Sequence, residues 1–421
     1  MTGPLSRRGL LGAAAVAGLA GCAQSDFGQG PPSGSSSPTG SSSPSGGASS
    51  SATTASPSES PSSSPTSTAP VNRQRSLTTV MSGDLLWHNT LWFTAANDHR
   101  RTGKGDEFDF DPMFAAVKPI ISGADLAIAH NEVPFAKPGG PYLGYPTFAA
   151  PPQIAAWMAT MGWDMATTAS NHSLDQGFTG LTRTTELLQD AGLAVVGTYA
   201  TEAAANTPVI VEKAGVKVAV VSGTYGTNGI PLPQDKPWCV DMWQVERMLA
   251  DARAARAAGA EIVLAHLHGG EEYQVAPSQE QVSRATTLAG APEIDLVFGE
   301  HVHVVQPITM INGTWVVYGM GNMVAQHLAS VPRGYEGITV RFTWAERDEP
   351  LPGKLGRFEV SKAEYIPSLV TSHLSDGAAR LYAVNEALRV GTGPTARLQT
   401  ALERTRQAVL SLQPPAGLVE A

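Results

Sequence analysis

From Leu77 onward, short apolar runs alternate with amphipathic stretches. The runs "LTTVMSG", "ADLAIA", "WDMATTA", "LAVVG", "VKVAVVSG", "EIVLAH", "IDLVFGE" and "TWVVYG" are each bounded by Gly, Asn or Asp, and they predict buried strands. Residues 241–257 place Val245, Met248, Leu249 and Ala252 on one face and Arg247, Arg253 and Arg256 elsewhere. Residues 178–191 bring Phe178, Leu181 and Leu188 together and close on "AGL". Both spacings predict helices. Strands alternating with helices predict an α/β architecture, with a mixed sheet because some connections are short. After about residue 340 the pattern weakens: "GRFEVSKAEYIPSLV" reads as a returning strand pair and 375–412 as one or two terminal helices.

The first 75 residues follow other rules. Residues 1–22, "MTGPLSRRGLLGAAAVAGLAGC", place Arg7 and Arg8 before a short apolar stretch, the layout of an export signal. "SRRGLL" resembles a twin-arginine signal, and "LAGC" resembles a lipobox that leaves Cys22 as a lipidated N-terminus. The expectation is a membrane anchor through Cys22. Residues 26–70 are Ser, Pro, Thr and Gly with almost no apolar side chains, too little to offset chain entropy, so 23–75 is expected to be an extended linker. The expected domain then runs over 76–370, with a helical extension at 371–421. Together these place the protein outside the cytoplasm, on the outer face of the cytoplasmic membrane.

Only one other cysteine exists, Cys239, so no disulfide is expected within the domain. The net charge of −9, without basic runs, argues against nucleic acid as a partner. An anionic substrate then needs a bound cation or a few placed Arg and Lys side chains.

Several predicted strands end in polar residues: Asp84, Glu132, Asn171–His172, His266–His268 and His301–His303. In α/β sheets, ligands bind beyond the carboxyl ends of strands. In "GEHVHVV", His301 and His303 are two apart, and on an extended strand such positions point the same way. Both can then reach one metal or two adjacent ones, or else form a pair of hydrogen-bonded structural histidines. His266 and His268 repeat the spacing. With Asp84, Glu132 and Asn171 they make an oxygen-and-nitrogen donor set suited to zinc, manganese or iron. The set suits a two-metal hydrolase, in which the metals activate water, Asn171 ligates through its carbonyl oxygen, and His172 protonates the leaving group or holds the developing oxyanion. Asp175 either orients His172 or caps the helix that follows.

The order "GD…E.P…NHSLDQG…TYGTNG…H.GGEEY…G.H.HV.QP…Y.MGN" resembles the CapA family of bacterial capsule and poly-γ-glutamate synthesis proteins, from about Thr79 to Asn322 and more weakly to about Pro367. The resemblance implies a metallophosphoesterase-like layered fold, with central mixed β-sheets flanked by helices. It implies about two divalent metal ions on Asp84, Glu132, Asn171, His268, His301 and His303, with His172 catalytic. His130, Asp175, Glu272 and Asn322 are the supporting or substrate-facing residues, and His266 matches nothing in the family pattern. At Leu86 many metallophosphoesterases carry His, although Leu is usual in the CapA branch; the chain departs from the family pattern at His130, where Asn is often found. It also has Gly269 for a common Trp and Val302 for a common Pro.

The function implied is a metal-dependent hydrolase that acts on an anionic cell-surface polymer such as poly-γ-glutamate, by attack of water on a phosphoester or an amide. The alternatives are a non-catalytic factor that binds the polymer or a membrane polymer synthase, and a general phosphoesterase. Trp87 and Trp92 read as core, and Tyr142, Tyr145 and Tyr273 as loop residues near the site.

Overall fold

The computed structural model describes residues 74–421, in which the apolar runs become two mixed sheets packed face to face. The export signal, Cys22 and nearly all of the Ser/Pro/Thr linker lie outside the described residues. The chain starts in the first sheet with β1 (Ser76–Leu85), β2 (Leu126–Asn131), β3 (Met165–Thr167) and β4 (Ala194–Val196), all parallel. It then builds the second sheet from β5 (Ile210–Lys213), β6 (Val216–Thr224), β7 (Ile262–His268), β8 (Leu296–Glu300), β9 (Ile308–Ile311) and β10 (Thr314–Val317). It returns to the first sheet with β11 (Asn322–Val324), β12 (Glu336–Glu346), β13 (Phe358–Val370), β14 (Leu381–Ala383) and β15 (Leu418–Glu420).

β6, β7 and β8 are parallel, like β1 to β4, so each set has its carboxyl ends on one side. The stretch read as a strand pair is the single strand β13, and its antiparallel partner is β12, where the apolar pattern had seemed to weaken. Residues 371–421 hold the helices Val384–Val390 and Thr395–Val409, and they also give β14 and β15 to the edge of the first sheet.

Three apolar layers hold the sheets in place. Between them, Leu77, Met81, Ile128 and Met165 of the first sheet meet Val218, Val220, Leu264 and Phe298 of the second. Helices Asn89–Thr102 and Gln153–Met161 cover the outer face of the first sheet, with Trp87 and Trp92 in that cluster. Helices Val245–Ala257 and Gln279–Gly290 cover the outer face of the second. Each large side chain buried this way contributes about 1.5–3 kcal/mol. Among the described residues, no helix is long and apolar enough to cross a membrane.

The inner faces change character toward the carboxyl ends. With the period of two that a strand imposes, β2 runs Leu126, Ile128, His130 and β3 runs Met165, Thr167. β6 runs Val218, Val220, Ser222, β7 runs Ile262, Leu264, His266, His268, and β8 runs Leu296, Phe298, Glu300. The core between the sheets is thus apolar below and polar at its top.

Candidate metal centre

Asp84 stands at the end of β1, fully buried, as Cα partner of Asn322 on β11 and of His130 on β2. Its backbone N–H donates to Gly321 O at 3.0 Å. Gly83 permits that approach, because a Cβ there would lie 2.0 Å from Gly321 O. Glu132 follows β2 and is 1% exposed. Asn171 and His172 sit in a tight turn after β3, in which Ser173 Oγ accepts from Ser170 N at 2.9 Å and Ser170 Oγ accepts from His172 N at 3.0 Å.

The second sheet brings its ligands in two ways. His266 and His268 lie on β7 and share the inner face, as alternation requires. His301 and His303 correct the expectation of an extended strand: β8 ends at Glu300, and both histidines are left-handed, with φ of 96° and 57°. Strand alternation therefore does not align them. A bent segment does, with His301 N donating to the Asp84 carboxylate at 3.4 Å and Tyr273 N to Val302 O at 2.8 Å.

The convergence is tight. His303 Nδ1 is 3.2 Å from Asp84 Oδ2 and 3.0 Å from Asn322 Oδ1. Its Nε2 is 3.9 Å from Glu132 Oε1, and His268 Nε2 is 4.0 Å from the same oxygen. His268 Nε2 also lies 2.9 Å from Asn171 Oδ1. One ligand atom each of Glu132, His301 and His303 falls within 4.8 Å of the others. Asn322 Nδ2 donates to His303 O, Gly334 O and His327 Nε2, so its whole side chain serves to fix the His303 segment.

The electrostatics suit a cation. Burial pushes the Glu132 carboxyl well above the usual range, and Asp84 pushes it further. Burial works against charge on His303, but Glu132 and Asp84 outweigh it and raise His303 to about 10. Burial and neighbouring imidazoles hold His268 and His301 well below the usual value, so both present neutral rings, the form that binds metal. Both Glu132 oxygens, His268 Nδ1 and His301 Nδ1 are buried without a hydrogen-bond partner. Such groups are normally satisfied, so bare donors converging here fit divalent metal.

A family model described as bacterial capsule synthesis protein PGA_cap matches residues 78–327, more than half of the chain. The chain belongs to this capsule synthesis family. The PGA biosynthesis protein CapA of Bacillus subtilis is 27% identical over 225 residues, covering 51% of this chain and 57% of that protein. The capsule biosynthesis protein CapA of Bacillus anthracis is 28% identical over 168 residues, 39% of this chain and 40% of that one. The chain thus spans about half the length of these curated relatives. Among solved structures, the calcineurin-like phosphoesterase YfkN from Bacillus subtilis aligns at TM-score 0.42 and 17% identity, over 79% of this chain and all of that one.

Within this capsule-family chain the matched stretch takes in every metal-ligand candidate and His172. His172 Nδ1 contacts Asp175 Oδ2 at 2.7 Å, and the ring of Phe148 stands edge-on to it at 4.8 Å. Asp175 is not a helix cap: the capping position is Gln176, with no side-chain cap bond. The Asp175 carboxylate instead binds His172 and accepts from Phe148 N at 2.8 Å. Glu272 is exposed and reaches the centre only through its charge, which favours the charged form of His303. Tyr273 lies with its ring 6.0 Å from that of His303, Tyr145 packs its ring 6.3 Å from Phe148, and Tyr142 donates to Glu107 at 3.0 Å.

Sequence reasoning missed four neighbours. The Tyr225 ring stacks 4.6 Å from His301, and burial lifts its hydroxyl to about 12. His88 and His327 are buried beside the site, their rings 6.0 Å apart. Glu300 is fully buried with both oxygens unpartnered. "TYGTNG" and the acid in "GEHVH" were the available signals for Tyr225 and Glu300, whereas His88 and His327 fall outside any spacing motif.

Proposed function

We propose that this chain is an exported, lipid-anchored, metal-dependent hydrolase of an anionic cell-surface polymer, with poly-γ-glutamate the leading substrate. The observation that supports it is the set of unpartnered buried donors at the strand ends, with the His172–Asp175 pair beside them. The names of its relatives support the polymer. Cys22 would carry the lipid, and the linker would hold the domain off the outer face of the cytoplasmic membrane.

Asp84, Glu132, Asn171, His268, His301 and His303 would hold about two divalent ions of zinc, manganese or iron. When bound, such ions lower the pKa of water and offset charge on the group attacked. The chain's own residues do the rest. Asp175 at Nδ1 fixes the His172 ring, which leaves Nε2 to give a proton to the leaving amine or alkoxide. Phe148 limits rotation of that ring. Tyr225, protonated at neutral pH, offers a hydroxyl beside His301.

The test is metal content of the purified chain beside a His301→Ala, His303→Ala double variant, followed by turnover of γ-glutamyl amides and phosphoesters with the metal found. Bound metal that is lost in the variant, and hydrolysis that is lost in His172→Ala, support the reading. Bound metal with no hydrolysis of either bond class rejects it in favour of a polymer-binding role in assembly.

A further inference from the structure

Two buried histidines, His130 and His266, are left over from the ligand set assigned above. Their positions are 136 residues apart in sequence, on β2 of one sheet and β7 of the other. The fold places their rings 4.8 Å apart, centroid to centroid, and His130 lies 4.7 Å from the ring of His268. One ring nitrogen from each of His130, His266 and His268 falls within 4.8 Å of the others.

The outer nitrogens are already fixed. His130 Nδ1 is 2.9 Å from Thr167 Oγ1. That hydroxyl donates to Ala129 O at 3.4 Å, so it accepts from the ring, and His130 carries its proton on Nδ1 and its lone pair on Nε2. His266 Nδ1 is 2.8 Å from Ser222 Oγ. Both Nε2 atoms are buried without a partner. A hydroxyl behind each imidazole and a bare nitrogen in front is how proteins orient metal ligands. His130 Nε2 lies 3.9 Å from Asp84 Oδ1, which brings a carboxylate to the group. Neutral imidazoles need such a charge beside a dication.

We propose that His130, His266 and His268 form a further buried position for a divalent transition metal, zinc by donor type, beside the Glu132, His301 and His303 set and sharing with it His268 and the Asp84 carboxylate. Three imidazole nitrogens are a donor set that zinc accepts. The ion would tie β2 of the first sheet to β7 of the second, beside the centre. This goes beyond the hydrolase reading and does not depend on it.

The experiment is elemental analysis of the full-length purified chain after zinc saturation and gel filtration, with cobalt substitution read by visible absorption. The expected result is about three zinc ions per chain in the wild type and about two in His266→Phe, which keeps a ring, and in His266→Gln, which keeps a polar group. Cobalt loaded into either variant lacks one tetrahedral band that the wild type shows. The His301→Ala, His303→Ala variant loses its metal from the other set, so failure of the hydrolase reading and failure of this one register separately. A wild type that binds two ions or fewer, or a count unchanged in both His266 variants, overturns the proposal.

Discussion

Asp175 Oδ2 lies 2.7 Å from His172 Nδ1, and the same oxygen accepts the backbone N–H of Phe148 at 2.8 Å. One carboxylate thus ties the orientation of the imidazole to the position of the aromatic ring that flanks it. If His172 donates a proton in the reaction, His172→Ala lowers kcat by about 10²–10⁴-fold and leaves the metal content unchanged. Asp175→Asn retains an acceptor for Phe148 N but removes the anion behind the ring. It lowers kcat by a smaller factor with little change in KM. Steady-state kinetics beside elemental analysis checks both, and a loss of metal in either variant would show a structural role instead.

Asn322 makes four contacts through one amide, two of them to His303: His303 Nδ1 at 3.0 Å, His303 O at 3.3 Å, His327 Nε2 at 2.9 Å and Gly334 O at 2.8 Å. The left-handed backbone at His303 depends on these bonds, since a non-glycine residue does not rest there by preference. Asn322→Ala is expected to weaken metal binding by about 10–100-fold. Competition with a chromogenic chelator measures it, and unchanged affinity would mean that Asp84 alone positions His303.

Gly83 precedes Asp84 where β1 passes against the Gly321 turn. A Cβ there would meet Gly321 O at 2.0 Å and Met320 O at 3.2 Å, both backbone atoms that cannot rotate away. Gly83→Ala should therefore cost about 1–3 kcal/mol of stability through overpacking, and should lower metal occupancy by displacing Asp84. Denaturant melts report the first effect and elemental analysis the second.

A pH dependence of stability rests on Asp241. Burial raises the Asp241 carboxyl from its usual 3.8 to about 7, against the hydrogen bond from Tyr199 Oη at 2.7 Å, which favours the anion. A folded-state value above the unfolded one means that the folded protein holds this proton more tightly. The contribution to stability is complete below about pH 3.8 and is lost as pH rises through about 7. Asp241→Asn keeps an acceptor for Tyr199 but cannot ionise. The fall in melting temperature between about pH 4 and about pH 7 should be smaller in this variant than in wild type. Equal slopes would place the dependence in other groups.

Sequence alone determined where the polar residues stand relative to the apolar runs, because a strand alternates with period two and a strand end is marked by Gly, Asn or Asp. That was enough to select Asp84, Glu132, Asn171, His172, His268, His301 and His303, and to predict α/β layering. It also gave the right face for His266 and His268, which lie on a regular strand. The same rule failed for His301 and His303, because left-handed backbone after β8 replaces alternation with a bend held by the Asp84 carboxylate and Val302 O. Tertiary structure alone decided that the strand ends come from two sheets rather than one edge. It alone set His130 against His266, buried Glu300, and turned Asp175 toward His172 rather than toward a helix terminus. Each of these depends on contacts between residues 3 to 217 positions apart. Local periodicity constrains a side chain's face within its own element, and the partner on the opposite face is fixed only when the two sheets close over their shared core.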